Sequence, residues 1–373
     1  MSECLYHTAK CVKRWRKQRL SAAVLVALLT MAAGATAQDE PLLIQLPASA
    51  IPTDVSGSGF TVVGSILGGG SDPQFGNQGF YWMQTTGVVP IGGTQAAAIS
   101  RDGRTIAGRA LDAQGQENAA IWLGGTDWQV LGSFSPDAQS CDRLLSGTFG
   151  LNDDGKVIVG LGWDGCRLAH GFRWEERSGM VDLGSTVPGR SSRANDVSGD
   201  GRVIVGWQDD EFGFRQGAVW REGVQEIVIG PFGAVGEAAA SNSDGSLIVG
   251  QNCDPINLSA WSWRPETGVV CHLVEESTDP RPFITMMLAT SEDGRVIGGA
   301  RSFGPESRAV LWLDGEPQYL EDYLRANGVS DAFENWINTG FITGVSRDGR
   351  VIVGQGAGPL NFQGYIVILP PMD

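Results

Sequence analysis

The sequence predicts an all-β protein, a seven-bladed β-propeller of four-stranded blades whose last blade is closed by the N-terminal strand. Three observations carry this reading. A short phrase, "SRDGRTIAG" at 100–108 and "SRDGRVIVG" at 346–354, recurs along the chain. A run ending in tryptophan follows most copies of it. The 53 glycines and 12 tryptophans among 373 residues suit many short strands joined by tight turns.

The first 37 residues differ from the rest. A basic stretch, "KCVKRWRKQR", precedes the apolar run "LSAAVLVALLTMAAG" and the small-residue triplet Ala35-Thr36-Ala37, the layout of a cleaved secretory signal peptide. The apolar run is shorter than the ~20 residues of a membrane span, and no later segment is apolar enough to be one. Arg14-Trp15-Arg16 is not a twin-arginine pair, so general secretion is the expected route. Residues 38–373 are expected to form a single propeller domain, periplasmic or extracellular. Without the signal, 21 basic residues face 41 acidic ones, a net charge near −20, and Lys156 is the last lysine. Such a field repels nucleic acid and anionic lipid, which removes both from the expected partners.

After the signal comes "LLIQLP" (42–47), a strand with no place in the first repeat. The repeats follow as "VSGSGFTVVG" (55–64), "SRDGRTIAG" (100–108), "LNDDGKVIVG" (151–160), "VSGDGRVIVG" (197–206), "SNSDGSLIVG" (241–250), "SEDGRVIGG" (291–299) and "SRDGRVIVG" (346–354). Their turn glycines lie 44, 52, 46, 44, 49 and 55 residues apart, the spacing of propeller blades. Each Asp-Gly step between apolar runs is hairpin chemistry joining strand one to strand two. Strand two is apolar at consecutive positions, as in Val203-Ile204-Val205, and is expected to be covered on both faces. Strand three ends at Trp82, Trp122, Trp174, Trp220, Trp263 or Trp312, and runs such as "MVDLG" supply strand four. Repetition in every blade marks these tryptophans as packing residues rather than a sugar-binding set. In the seventh unit no fourth strand follows "GYIVIL" (364–369), so the strand at 42–47 is expected to complete it. A longer insertion at about 320–340 has apolar residues at helical intervals, predicting a pair of short helices broken near Gly328.

The pattern A-x-x-V-S-x-D-G-x-V-I-V-G, then A-x-x-W, then a Leu-Gly turn resembles the extracellular HAF repeat family, as does the stretch "LEDYLRANGVSDAFENWINTGFITGVSRDGRVIVGQGAGPLNFQGYIVILP". The resemblance covers about residues 42–370. It implies an exported bacterial protein, free in the periplasm or secreted because the sequence shows no C-terminal anchor or translocator. It assigns no catalytic residue.

Cys141, Cys166, Cys253 and Cys271 remain after signal removal, an even number that suits disulfides in an oxidising compartment. The pairs Cys141–Cys166 and Cys253–Cys271 are expected, each within one repeat unit. His170 and His272 are the remaining histidines; there is no G-x-S-x-G elbow, no C-x-x-C and no D-x-D-x-D-G loop. No catalytic residue, cofactor or metal is therefore assigned. The turn aspartates Asp102, Asp154, Asp200, Asp244, Asp293 and Asp348 are explained by their turns.

In four-stranded blades the two-to-three loops and the blade connections share one face, and that face collects Phe75, Phe134, Phe283, Phe303 and Phe362. The candidate ligand site is Trp163, Trp207, Phe212 and Phe214 from adjacent units, edged by Asp164, Asp209, Asp210 and Glu211. The expected function is a monomeric, exported, non-enzymatic protein that binds a protein or glycan on this face. Two alternatives stay open: a polysaccharide hydrolase or lyase using cleft carboxylates, and a structural module of an envelope complex.

Overall fold

The computed structural model describes residues 40–68, 77–134, 144–165, 168–274, 283–359 and 361–372. They form seven four-stranded antiparallel sheets, each running in chain order from the ring axis outward in blades one to six. The innermost strands are Ala50–Val55, Gln95–Ile99, Ser146–Leu151, Ser192–Val197, Ala238–Ser241, Ile284–Thr290 and Asn338–Val345. In blade seven the order is 338–345, 351–358, 361–368 and then the N-terminal strand Leu42–Ala48. Leu42 pairs with Ile368 and Gln45 with Tyr365, while Gln363 Nε2 donates to the Leu46 carbonyl at 2.8 Å. The ring thus closes through a shared blade, as the sequence predicts.

The recurring phrase has a mechanical reading in three parts. Its serine and aspartate build the turn: Ser100 Oγ donates to Asp102 Oδ1 at 2.7 Å and accepts from the Thr105 amide at 2.9 Å, and Asp102 Oδ1 accepts from the Arg104 amide at 3.0 Å. Asn152 and Asn242 replace the serine without loss of the acceptor. The turn glycine takes positive φ, 74° at Gly59 and 69° at Gly245, and also touches the preceding blade. A Cβ on Gly245 would stand 2.6 Å from Val203, and one on Gly59 2.5 Å from Val351 across the seam.

The apolar pair that follows is buried on both faces, as at Val62, Val63, Ile158, Val159, Ile352 and Val353. The strand-three aromatics fill the space between blades. Trp82, Trp174, Trp220 and Trp312 are buried, Trp122 and Trp263 half-buried, and blade five adds the fully buried Trp261. Trp220 Nε1 also reaches the Leu183 carbonyl in the neighbouring blade at 3.3 Å.

The insertion after blade six differs from the expected helix pair. It holds one helix, Leu320–Ala326, followed by turns through 337. Helix continuation is prevented by positive φ at Gly328 (100°), Phe333 (56°) and Asn335 (64°). Packing rewards this path: Leu320, Leu324, Ala332 and Phe333 are buried with Leu311 of blade six and Ile352, Tyr365 and Val367 of blade seven. Phe333, Trp336 and Tyr365 meet edge to face at 5.0–5.9 Å. The insertion therefore seals the seam between the last two blades.

Two measurements check this account. Deleting residues 41–48 should leave strand 361–368 as an open edge and expose the side of Phe80 and Val353 that Leu46 covers, giving aggregation and a lower melting temperature; an unchanged melting temperature would remove the closing role. Trp220→Ala should cost about 3–5 kcal/mol in denaturant unfolding, and a loss below about 1 kcal/mol would place this ring outside the core.

Candidate functional site: the axial tunnel and its loop face

The glycine that closes each repeated phrase, within the second strand, determines the ring axis. A Cβ on Gly108 or Gly299 would overlap the carbonyl of Gln95 or Met286 on the adjacent inner strand. That carbonyl sits so close because every inner strand carries a β-bulge at one position, between Pro52 and Asp54, Ala96 and Ala98, Ala194 and Asp196, and so on around the ring. The extra residue of each bulge lines the axial tunnel. A cavity of about 210 Å³ remains, bounded by Thr53, Phe149, Asn195, Leu288 and Thr343 among others.

Bulging frees side chains to tie neighbouring blades together. Thr53 Oγ1 donates to the Ala96 carbonyl at 2.8 Å, Asn195 Nδ2 to the Ala238 carbonyl at 2.7 Å, and Thr343 Oγ1 to the Pro52 carbonyl at 3.1 Å. Asp54 and Asp196 work the opposite way. Asp54 accepts the amides of Val55 (2.7 Å) and of Ile99 in blade two (2.9 Å), and Asp196 accepts that of Ser241 in blade five (2.9 Å). Both carboxyls keep some contact with the tunnel solvent yet lie deep inside the ring. Burial outweighs the amide donors and lifts them to about 6 for Asp54 and about 7 for Asp196, the latter also feeling the charge of Asp54.

At the turn end the tunnel is bridged by charged side chains. The residue before each turn aspartate points to the axis, and Arg101, Asp153, Ser243, Glu292 and Arg347 meet there. Arg101 donates to Asp153 Oδ1 (2.6 Å) and across the axis to Glu292 Oε2 (3.0 Å), while Arg347 lies 3.8 Å from Glu292. Ser243 Oγ donates to Asp153 at 3.2 Å, and its amide to Glu292 at 3.3 Å. Arg101, Asp153 and Arg347, with Gly57 and Gly199, line that end of the cavity.

The loop-face mouth is built from arginines and rings. Phe149 carries the guanidinium groups of Arg193 (4.7 Å) and Arg109 (5.7 Å), and Trp207 those of Arg215 (4.3 Å) and Arg193 (5.4 Å). Glu237, itself buried, pairs with Arg193 and with Arg215 (3.1 Å) and accepts from Asn195 (2.8 Å).

Of the four residues expected to form a ligand site, Phe212 and Phe214 sit at a hairpin tip, 75% and 71% exposed. Asp210 Oδ1 accepts both their amides, at 2.8 and 2.9 Å, and Arg190 reaches the Glu211 carbonyl, so the tip is braced. Trp207 lies at the base of the same hairpin and is buried under Arg215, while Trp163 is half-buried in blade three. The structure thus brings Phe212 and Phe214 together in solvent and places Trp207 in the framework. Phe134 packs into the blade-three core, and Phe283 and Phe303 pack on each other at 5.6 Å; Phe362 is exposed, and Phe75 lies outside the described residues.

The turn aspartates spend their carboxyls on their own turns, as at Asp200 and Asp348. His170 bonds Asp182 at 2.9 Å, which raises its pKa, and His272 bonds Ser262 at 2.8 Å, with burial lowering its own. Cys253 and Cys271 form the expected disulfide, tying the two-to-three loop of blade five to its outer strand. Cys141 and Cys166 lie outside the described residues.

No family model and no curated protein matches the sequence. Solved structures match in fold. The β-propeller domain of the Trilobed protease from Pyrococcus furiosus is 14% identical, covering 86% of this chain and 95% of that one at a TM-score of 0.56. Acylaminoacyl peptidase from Pyrococcus horikoshii is 11% identical, with 82% of this chain covered and a TM-score of 0.52; this chain spans about half of that protein (49%). Oligogalacturonate lyase from Vibrio parahaemolyticus is 11% identical, covering 89% and 97% at 0.50. The Trilobed domain is described as an open velcro; the present ring is instead closed by Leu42–Ala48.

The buried acids give a pH test. Both folded-state pKa values lie above the 3.8 of a free aspartate, so their favourable contribution is complete below about pH 4 and is lost as pH rises through 6 to 7. The melting temperature should fall across that interval, and an Asp54→Asn, Asp196→Asn double variant should flatten the fall. An identical slope in the variant would show that other groups set the dependence.

Proposed function

We propose that the protein is an exported, non-enzymatic binding protein that engages a protein or glycan on its loop-rich face. The braced hairpin tip that holds Phe212 and Phe214 in solvent is the observation that carries this reading. Two phenylalanines kept apart from the core on a stiff support resemble a preformed anchor more than a surface accident. Export is supported by the Cys253–Cys271 disulfide, by the N-terminal sequence, and by the resemblance of the repeats to the extracellular HAF family. No helix among the described residues is long and apolar enough to cross a membrane.

A carboxylate-driven hydrolase or lyase is the second reading, favoured by the raised pKa values of Asp54 and Asp196. Against it, both carboxyls already hold backbone amides of neighbouring blades together. A place as a structural module in an envelope complex is compatible with the same exposed tip and would show as stable copurification.

The test is a Phe212→Ser, Phe214→Ser double variant screened beside the parent on glycan arrays and in envelope pull-downs. Binding should be lost while the melting temperature stays within about 2 °C, because both rings are outside the core. Retained binding would move the site off this hairpin.

A further inference from the structure

Phe214 is followed directly by Arg215, so the exposed tip runs into the arginine cluster at the tunnel mouth. The mouth gathers Arg109, Arg193 and Arg215 in a chain whose overall charge is −15. Glu237 answers Arg193 and Arg215 together. Arg109 has no carboxylate within ion-pair distance among the described residues, and its Nε is buried without an acceptor. Burial disfavours its charge, with Glu117 offering the nearest compensation, and Arg109 and Arg193 repel across the ring they share. A second donor in the cluster, the Nε1 of Trp207, is also buried without an acceptor. These two atoms are enclosed by the protein itself; an excess guanidinium is an expensive feature unless something anionic completes it at its outer nitrogens. Glycine at position 147 leaves the space that Arg109 occupies, since a Cβ there would stand 2.5 Å from its Nε.

We propose that the tunnel mouth between Arg109, Arg193 and Phe149 binds the carboxylate of a polypeptide partner whose adjoining apolar residues rest on Phe212 and Phe214. The hairpin tip stands about 10–13 Å above Trp207 at ~3.3 Å per residue, the span of three or four extended residues. The acidic surroundings select against polyanions: Asp164, Asp209 and Glu211 edge the same face, so a polymer with a carboxylate on every unit is repelled where a single carboxylate on an apolar or basic segment is not. Chain terminus and acidic side chain offer the same carboxylate chemistry.

This inference rests on the loop face being the binding surface, and the experiment separates the two. Fluorescence titration would use a library of apolar octapeptides without acidic side chains, prepared as free acids, as C-terminal amides, and as amides with one internal aspartate; trigalacturonate serves as the sugar probe. Carboxylate-bearing members should bind at least tenfold tighter than plain amides, the free-acid and aspartate arms distinguishing a terminus from a side chain. Arg109→Met should abolish that difference while its melting temperature equals or exceeds the parent's, since an unmatched buried charge has gone; a merely structural arginine would lower it. Equal binding of acids and amides that depends on Phe212 and Phe214 would overturn the carboxylate pocket and leave the loop face standing. An Arg109-dependent preference for trigalacturonate, a destabilised Arg109→Met protein, or no peptide binding at millimolar concentration would each overturn the proposal.

Discussion

Everything at the axis of this ring depends on one close approach, the backbone carbonyl of each inner strand against the glycine within the second strand that closes the repeated phrase. Any side chain at Gly108 or Gly299 would drive the two strands apart. With glycine there, each inner strand can bulge by one residue, and seven bulges turn seven side chains toward a common axis. The Val-Ile-Val-Gly phrase therefore combines two demands. Its branched residues fill the space between blades, and its glycine shapes the tunnel that the inner strands enclose.

The bulges also explain why a polar axis is compatible with a stable ring. Blades in a propeller meet mainly through apolar side chains, which set distance but not angle. Hydrogen bonds from Thr53, Asn195 and Thr343 to carbonyls of the next blade, and from the next blade's amides to Asp54 and Asp196, fix the angle at five points. The two aspartates remain acceptors whether or not they are ionised, so the latch tolerates their raised pKa values. At the turn end the same logic runs through full charges, Arg101 bridging Asp153 and Glu292 across the axis. The two ends of the tunnel are thus tied differently, by ion pairs at the turn end and by stacked arginines and rings at the loop end.

Much of this was legible in the sequence, and for a physical reason. Strand period, Asp-Gly turns and the recurrence of tryptophan are local signals repeated in six or seven copies, so errors in one copy are corrected by the others; even the closing strand follows from counting. The insertion reads as two helices because Phe333, Trp336 and Ile337 have helical spacing among themselves, as Leu320, Tyr323 and Leu324 do, whereas the path of Phe333 and Trp336 is set by packing on Tyr365, a residue of the next blade. Trp207 follows the repeated phrase and so reads as a loop residue, but the strand continues to Asp209 and carries the ring inside. The mouth was missed altogether, since arginines scattered over blades two and four form no motif. A signal did exist in the columns where the repeats disagree. The position one before the turn aspartate reads Gly57, Arg101, Asp153, Gly199, Ser243, Glu292, Arg347, and the position five before it includes Phe149 and Asn195.

Those variable columns mark the division of labour in the molecule. Positions constrained by blade geometry recur, because each blade must satisfy the same neighbours. Positions that face the axis or the loop side meet no equivalent neighbour and are free to differ, so any chemistry peculiar to this chain has to lie there. Arg109 is an instance: its counterparts in the aligned repeats are Ser65, Leu161, Trp207, Gln251, Ala300 and Gln355, so blade packing does not require an arginine. A guanidinium that the scaffold does not require, placed where burial disfavours its charge and an adjacent arginine repels it, is answered only in part within the ring, by the charge of Glu117 and the face of Phe149. The carboxylate proposed above would supply the remainder, and would tie the electrostatics of the mouth to binding as well as to folding.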